Sequence, residues 1–329
     1  MSQYMNSLQD LGMEGGTRLE APPSVLHELN LANKRLEKLL GDLRNERNAD
    51  ADLRRIARDV VRAVELNPDI ALACLFLNQI AGTYAVRHCI ETAIVVIMVA
   101  RGLGRAPDEV VSLTAAALTM NVGMLRHHDS FQSKPGSLNS EEMAIVRRHP
   151  EDSAEMLKYA GVDDEEWISC VLMHHENDDG TGYPAGMTRE QITHNARLLS
   201  LADRYCARVS ARNYRCSMLP DEALEKLLHD PAHPADPALL EQFHLQVGKF
   251  PPGVLVQLSN GEMGVVTSRD AGDGVLEVHC MRDGAGKALP SAIQRRTDQP
   301  ECAIKQALTE DQADFRFSMK QIWGAQAAL

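Results

Sequence analysis

Three things are scarce in this chain of 329 residues, and each scarcity excludes a class of protein. No apolar run approaches the roughly 18 residues that a membrane-spanning helix needs. Even the stretch 93–100 is short and is ended by Arg101, so no membrane crossing is expected. The start, MSQYMNSLQDLGMEGG, has neither the basic residues nor the apolar run of a secretion signal, which places the expected location in the cytoplasm. Thiolate pairs are missing too: the 7 cysteines at positions 74, 89, 170, 206, 216, 280 and 302 are odd in number and show no CxxC spacing. That argues against a disulfide framework or a thiolate zinc knuckle. Positive charge is in deficit, with 34 Lys and Arg against 46 Asp and Glu and a formal net charge of −12. This argues against binding DNA, although local arginines can still hold a small phosphate ligand.

What is present is helix. Residues 1–22 are polar and aperiodic and read as a disordered tail, and Pro22-Pro23-Ser24 then marks a helix start. Within the N-terminal helices, 23–69, Leu26, Leu29, Asn33, Leu36, Leu40 and Leu43 follow alternating three- and four-residue steps. That is the inner pattern of a short coiled coil, a candidate homodimer seam through 26–43, the alternative being an amphipathic helix lying on its own domain. Leu53, Ile56, Val60, Val61 and Val64 form a second stripe that stops near Asn67-Pro68. Residues 70–248 read as successive helices with 3.6-residue periodicity, broken at proline- and glycine-rich turns. The fold class is therefore mainly α, an all-helical domain with N-terminal helices. A small β-rich module is expected over 249–300, from VLVQL and MGVVTS flanking Asn260-Gly261 and from VLEVHCM, before a helical tail at 301–329.

From His174 to Asp203 the chain reads HHENDDGTGYPAGMTREQITHNARLLSLAD, which packs two adjacent histidines, acids, a glycine-rich turn and a later aspartate into 30 residues. Imidazoles and carboxylates are borderline ligands suited to iron, manganese or zinc. The string Asp179-Gly180-Thr181-Gly182-Tyr183-Pro184 resembles the signature of the HD-GYP family, bacterial metal-dependent phosphodiesterases that open cyclic di-GMP, and the likeness extends over roughly residues 80–290. The resemblance implies an HD-type helical domain. It also implies metal ligands at His88 in TYAVRHCIETA, His149 in VRRHPEDSAEML, the pair His174 and His175, and Asp203 in LLSLADRY.

Where that family writes its His-Asp pair, this chain has Met120-Asn121. In the family the aspartate bridges two ions, held about 3.5–4 Å apart so that a shared hydroxide attacks phosphorus in line. An amide has the same shape without the charge, and a thioether is a soft ligand for hard ions. Met124 and Tyr84 stand where the family carries a lysine and, in trinuclear members, a glutamate. The resemblance thus leaves one ion position, around His149, His174 and His175, with His88 and Asp203 beside a vacated one. The cofactor expected is one divalent ion, iron, manganese or zinc, or none. His127, His128 and Asp129 look like a displaced His-Asp pair but are read as a surface turn, and His194 and His279 as structural residues.

Nucleotide recognition looks better kept. Tyr183 offers an aromatic face, Gly180 and Gly182 permit positive φ and close backbone approach, and Ser210 to Arg215 resembles the family's SxRxYR stretch. Arg212 and Arg215 would then meet phosphate, with Lys134 of the Lys-Pro motif also a candidate. Cys206 replaces a family aspartate. Two functions follow from the resemblance: a catalytically degenerate receptor or interaction module for cyclic di-GMP or a related nucleotide, engaging a diguanylate cyclase (GGDEF) domain through the Gly-Tyr-Pro loop; or an active phosphodiesterase giving pGpG or GMP through an atypical metal site.

Overall fold

The computed structural model describes residues 23–329 apart from 135, 211–216, 231–233 and 271–273, so the expected tail 1–22 lies outside the described residues. The first helix, α1 (Val25–Asp42), begins at Ser24, whose Oγ accepts from His27 N at 3.3 Å and donates to the Ala328 carbonyl at 2.5 Å. α2 (Asp50–Leu66) ends at Asn67, whose amide oxygen caps α3 (Pro68–Phe76) by accepting from Asp69 N and Ile70 N, each at 3.1 Å. Pro68 suits the first helical position because its missing N–H would have had no partner there.

α4 (Tyr84–Gly102) organises the rest. Its residues 93–100 are apolar on every side, and a helix apolar all round is stable only when other helices cover it. Those eight are 0–7% exposed, enclosed by α1, α2 and the elements that follow. α5 (Pro107–Thr119) returns alongside α4; α6 (Leu125–Ser133), α7 (Ser140–Tyr159) and α8 (Glu165–Met173) come next. α9 (His194–Val209) packs back on α4, and α10 (Pro220–Leu228) and α11 (Pro237–Val247) close the bundle. No helix among the described residues is long and apolar enough to cross a membrane.

The leucine stripe of α1 corrects the coiled-coil expectation. Leu29, Leu36 and Leu43 are 0% exposed and Leu26 and Leu40 no more than 3%, covered by the chain's own α2, α3 and α4. Asn33, the polar inner residue, donates to the Ala81 carbonyl at 2.5 Å. A seam of leucines requires an apolar partner but does not say which chain supplies it; here the domain supplies it, so residues 26–43 are not free to form a homodimer seam.

Beyond α11 stands an antiparallel five-stranded sheet, order β4-β3-β2-β1-β5, from β1 (Leu255–Leu258), β2 (Met263–Arg269), β3 (Leu276–Arg282), β4 (Ala288–Arg296) and β5 (Ile304–Leu308). The sheet therefore passes residue 300, into the stretch expected to be helical; α12 (Glu310–Ala313) and α13 (Met319–Trp323) follow it. One face packs Val256, Val266 and Val278 with Phe76 and Phe250, and the other packs Leu255 and Val265 with Phe315, Phe317 and Trp323. Arg269 fastens the sheet to the helices, its Nε pairing with Asp69 of α3 at 3.5 Å and its Nη1 donating to the Gln246 carbonyl at 2.5 Å. Glu262 is tied instead within the sheet, by two 2.7 Å bonds from Arg295.

Candidate metal centre

α7 carries Pro150 in its interior. Proline has no N–H, so the carbonyl four residues back, that of Val146, loses its helical donor. His149 takes the place: its Nδ1 donates to Val146 O at 2.6 Å. The carbonyls of a helix's last turn are likewise left without donors, and His174, just past α8, donates from Nδ1 to Val171 O at 2.7 Å. A carbonyl can only accept, so both rings carry their proton on Nδ1 and a lone pair on Nε2. These two Nε2 atoms face each other at 3.2 Å, and both side chains are fully buried.

Charge on these rings is disfavoured. Burial, then the neighbouring His174, pushes His149 down to about 3, burial lowers His174, and burial with His174 and His149 places His175 well below its ordinary value. With neither ring protonated on Nε2, nothing among the described residues separates the two lone pairs, and a cation between them would. The ligand atoms of His149, His174 and His175 lie within 4.8 Å of one another, the one such cluster of three among the described residues, and it could hold a metal ion. Tyr183 stacks on His175, ring centres 4.7 Å apart, so one face of the tyrosine is taken by the imidazole.

The Gly-Tyr-Pro loop is held by a residue that the reading of the sequence passed over. Glu176, 4% exposed, accepts from Ala185 N at 2.7 Å, Gly186 N at 3.2 Å and Met187 N at 2.9 Å, pinning the far side of the loop beneath the histidine pair. An acid directly after two histidines and before a glycine-rich turn was the available signal. Of the two glycines, only Gly180 has positive φ, +78°. Gly182 is needed for close approach: a Cβ there would lie 2.4 Å from Asn177 N and 2.6 Å from His175 O.

The other half of the centre is different. α4 and α9 pack together and bring His88 Nε2 to 2.8 Å from Asp203 Oδ1. Burial alone would raise the Asp203 carboxyl, but the His88 hydrogen bond and the surrounding imidazoles hold it well below the usual carboxylate range. Met120 and Asn121 are buried at the end of α5, and Asn121 Oδ1 and His88 Nδ1 find no hydrogen-bond partner among the described residues.

His127, His128 and Asp129 do not form the expected surface turn; they sit on α6. His128 is 3% exposed and stacks on Tyr84 at 5.5 Å, and Tyr84 stacks on His88 at 5.7 Å. Asp129 Oδ1 accepts from Ala85 N at 2.9 Å, satisfying an orphan donor in the first turn of α4. Lys134 is exposed and paired with Glu142 at 2.5 Å. Arg212 and Arg215 lie outside the described residues. Cys206 is buried, and burial raises its thiol well above the usual range.

Comparison with known proteins agrees with this architecture. A family model described as an HD domain matches residues 70–239. A cyclic di-GMP phosphodiesterase of Pseudomonas aeruginosa is 34% identical over 209 residues, 63% of this chain and 50% of that protein. Another, of Vibrio cholerae, is 33% identical over 177 residues, 50% of this chain and 36% of the relative. The chain thus spans half or less of the length of these relatives. Among solved structures, an HDG"Y"P protein from Bdellovibrio bacteriovorus superposes with a TM-score of 0.55 over 69% of this chain and 72% of that one; at 20% identity the likeness is one of fold.

Proposed function

The chain belongs to the HD domain family, as an HD-GYP member, and from that premise we propose that it serves cyclic di-GMP signalling as a receptor or interaction module with little or no catalytic activity. The observation that carries this reading is the contrast at the end of α5, where Met120 and Asn121, both uncharged, occupy the positions of the family's His-Asp pair. On this reading His149, His174 and His175 hold one divalent ion, iron, manganese or zinc, their geometry supported by the two opposed Nε2 lone pairs. Such an ion, when bound, supplies positive charge for phosphate oxygens. His88 and Asp203 satisfy each other at 2.8 Å. Without a bridging carboxylate the protein forgoes several kcal/mol of transition-state stabilisation, and each 1.36 kcal/mol is about tenfold in rate. The Gly-Tyr-Pro loop, pinned by Glu176, is the surface proposed to meet cyclic di-GMP or a GGDEF-domain partner, with Arg212 and Arg215 as phosphate contacts.

A second reading, an active phosphodiesterase with an atypical site, is favoured by one observation: His128 is buried beside His88 and Tyr84 and adds an imidazole to the altered half. The test is cyclic di-GMP turnover by protein loaded anaerobically with iron or manganese, followed by mass spectrometry of products beside a His174→Ala, His175→Ala control. Binding without turnover is expected. A Met120→His, Asn121→Asp double substitution is expected to raise metal content toward two ions per chain and to bring turnover. Turnover by the unmodified protein that the histidine control abolishes overturns the receptor reading.

A further inference from the structure

At the opposite end of the α4–α5 pair lies a cavity of about 390 Å³, within the range of small-ligand sites. Five guanidinium groups line it, from Arg55, Arg58, Arg62, Arg101 and Arg105, against the single carboxylate of Glu65. This concentration occurs in a chain whose formal net charge is −12. On α2, positions 55, 58 and 62 follow three- and four-residue steps, so three like charges share one helix face. Such neighbours disfavour the helix by about 0.2–0.5 kcal/mol per pair, a cost that the intrahelical pairs of Arg55 with Asp52 and Arg62 with Asp59 offset at two of the three positions and leave standing at Arg58.

The arginines are not all consumed by acids. Arg55 pairs with Asp52, Arg62 with Asp59 and Arg101 with Glu65. Arg58 is exposed and has no hydrogen bond or ion pair among the described residues. Arg105 is held in place from two sides, its Nη1 3.3 Å from Glu109 and its Nη2 donating to His194 Nδ1 at 2.7 Å. The floor is apolar, from Val61, Pro107 and Val110. Guanidinium groups bind phosphate bidentately and stack on flat rings, while an apolar floor suits the body of a ligand and not its charge.

We infer that this cavity binds a small phosphate-bearing molecule with an aromatic body, of the nucleoside diphosphate class, at a site separate from the histidine centre. Met120 follows Pro107 by 13 residues, and Arg101 follows His88 by 13, so the two sites stand about 20 Å apart along both helices. The distance makes the two sites separable by mutation.

The test is calorimetric titration of the full chain with ADP, GDP and pyrophosphate. It is repeated on an Arg58→Gln, Arg101→Gln variant, both side chains being exposed, and on the His174→Ala, His175→Ala variant. Expected are saturable binding of at least one nucleotide, tighter than pyrophosphate, and a loss of roughly tenfold or more in the arginine variant, equivalent to about 1.4 kcal/mol. Affinity unchanged in the histidine variant, and a melting temperature unchanged in the arginine variant, complete the expected pattern. Binding untouched by the arginine change, binding lost with the histidines, or no binding of any of the three probes overturns the inference. Pyrophosphate binding as tightly as the nucleotides overturns the part given to the apolar floor.

Discussion

The two halves of the histidine centre are built on neighbouring helices and differ in what holds their side chains. In the half made by α7 and α8, His149 and His174 are aimed by backbone carbonyls, those of Val146 and Val171, freed by Pro150 and by the end of α8. Both bonds are made within three residues of the ring they aim. Where α4, α5 and α9 meet, His88 is aimed by Asp203, and His128 and Tyr84 stack beside it. Side chains positioned by the backbone survive the loss of a neighbouring ligand, whereas side chains positioned by one another rearrange when one of them changes. On the proposed reading, that difference is what would let Met120 and Asn121 replace ligands of one ion position without disturbing the other.

The comparison breaks most decisively in metal content. His149→Ala is expected to reduce bound iron, manganese or zinc to background, measured by plasma mass spectrometry after loading and desalting, and His88→Ala to leave it near the unmodified level. Equal loss from both would mean that the halves act as one site. A smaller effect is expected from Glu176→Gln, which keeps the shape but weakens three bonds from backbone N–H groups. A loss of about 1–3 kcal/mol in urea unfolding is expected, with faster hydrogen exchange at residues 183–187; stability unchanged within error would show that the loop stands without the carboxylate.

The smallest effect concerns the start of α8, which delivers His174. Asp164 caps it, accepting from Trp167 N at 3.0 Å, Ser112 Oγ at 2.6 Å and Arg54 Nη2 at 3.1 Å. Burial works against the Asp164 carboxylate, but these partners outweigh it and hold the group below its ordinary 3.8. A carboxyl lowered on folding contributes stability that is present above 3.8 and lost as pH falls through the folded value. Asp164→Asn keeps a capping oxygen but weakens the charge-assisted bonds from Ser112 and Arg54, so it should cost about 0.5–1.5 kcal/mol at neutral pH, and the gap between the two proteins should close in strong acid. A gap that persists below the folded value of the carboxyl, in strong acid, would assign the effect to geometry and not to charge.

The helices were legible because an apolar stripe at 3.6-residue spacing needs only the chain to reveal itself, and His88, His149, His174, His175 and Asp203 were legible because a signature string fixed their alignment. Other features depend on what lies across space. The stripe of α1 reads alike whether its partner is another chain or its own domain. β4 contains Pro290 and is largely exposed, and β5 is short and follows a 3-10 turn, so neither edge strand shows the alternation of a half-buried one. His128 reads as a turn residue beside a disrupted motif, and its burial depends on Tyr84, 44 positions earlier.

The bond from Ser24 to the Ala328 carbonyl joins residues 304 positions apart. On a ribosome adding about 5–20 residues per second, the first helix waits roughly 15–60 s for the segment whose carbonyl anchors its capping serine. Through that interval the cap of α1 rests on local contacts alone, so slowing translation of the codons for residues 319–328 should prolong the lifetime of an incompletely closed intermediate.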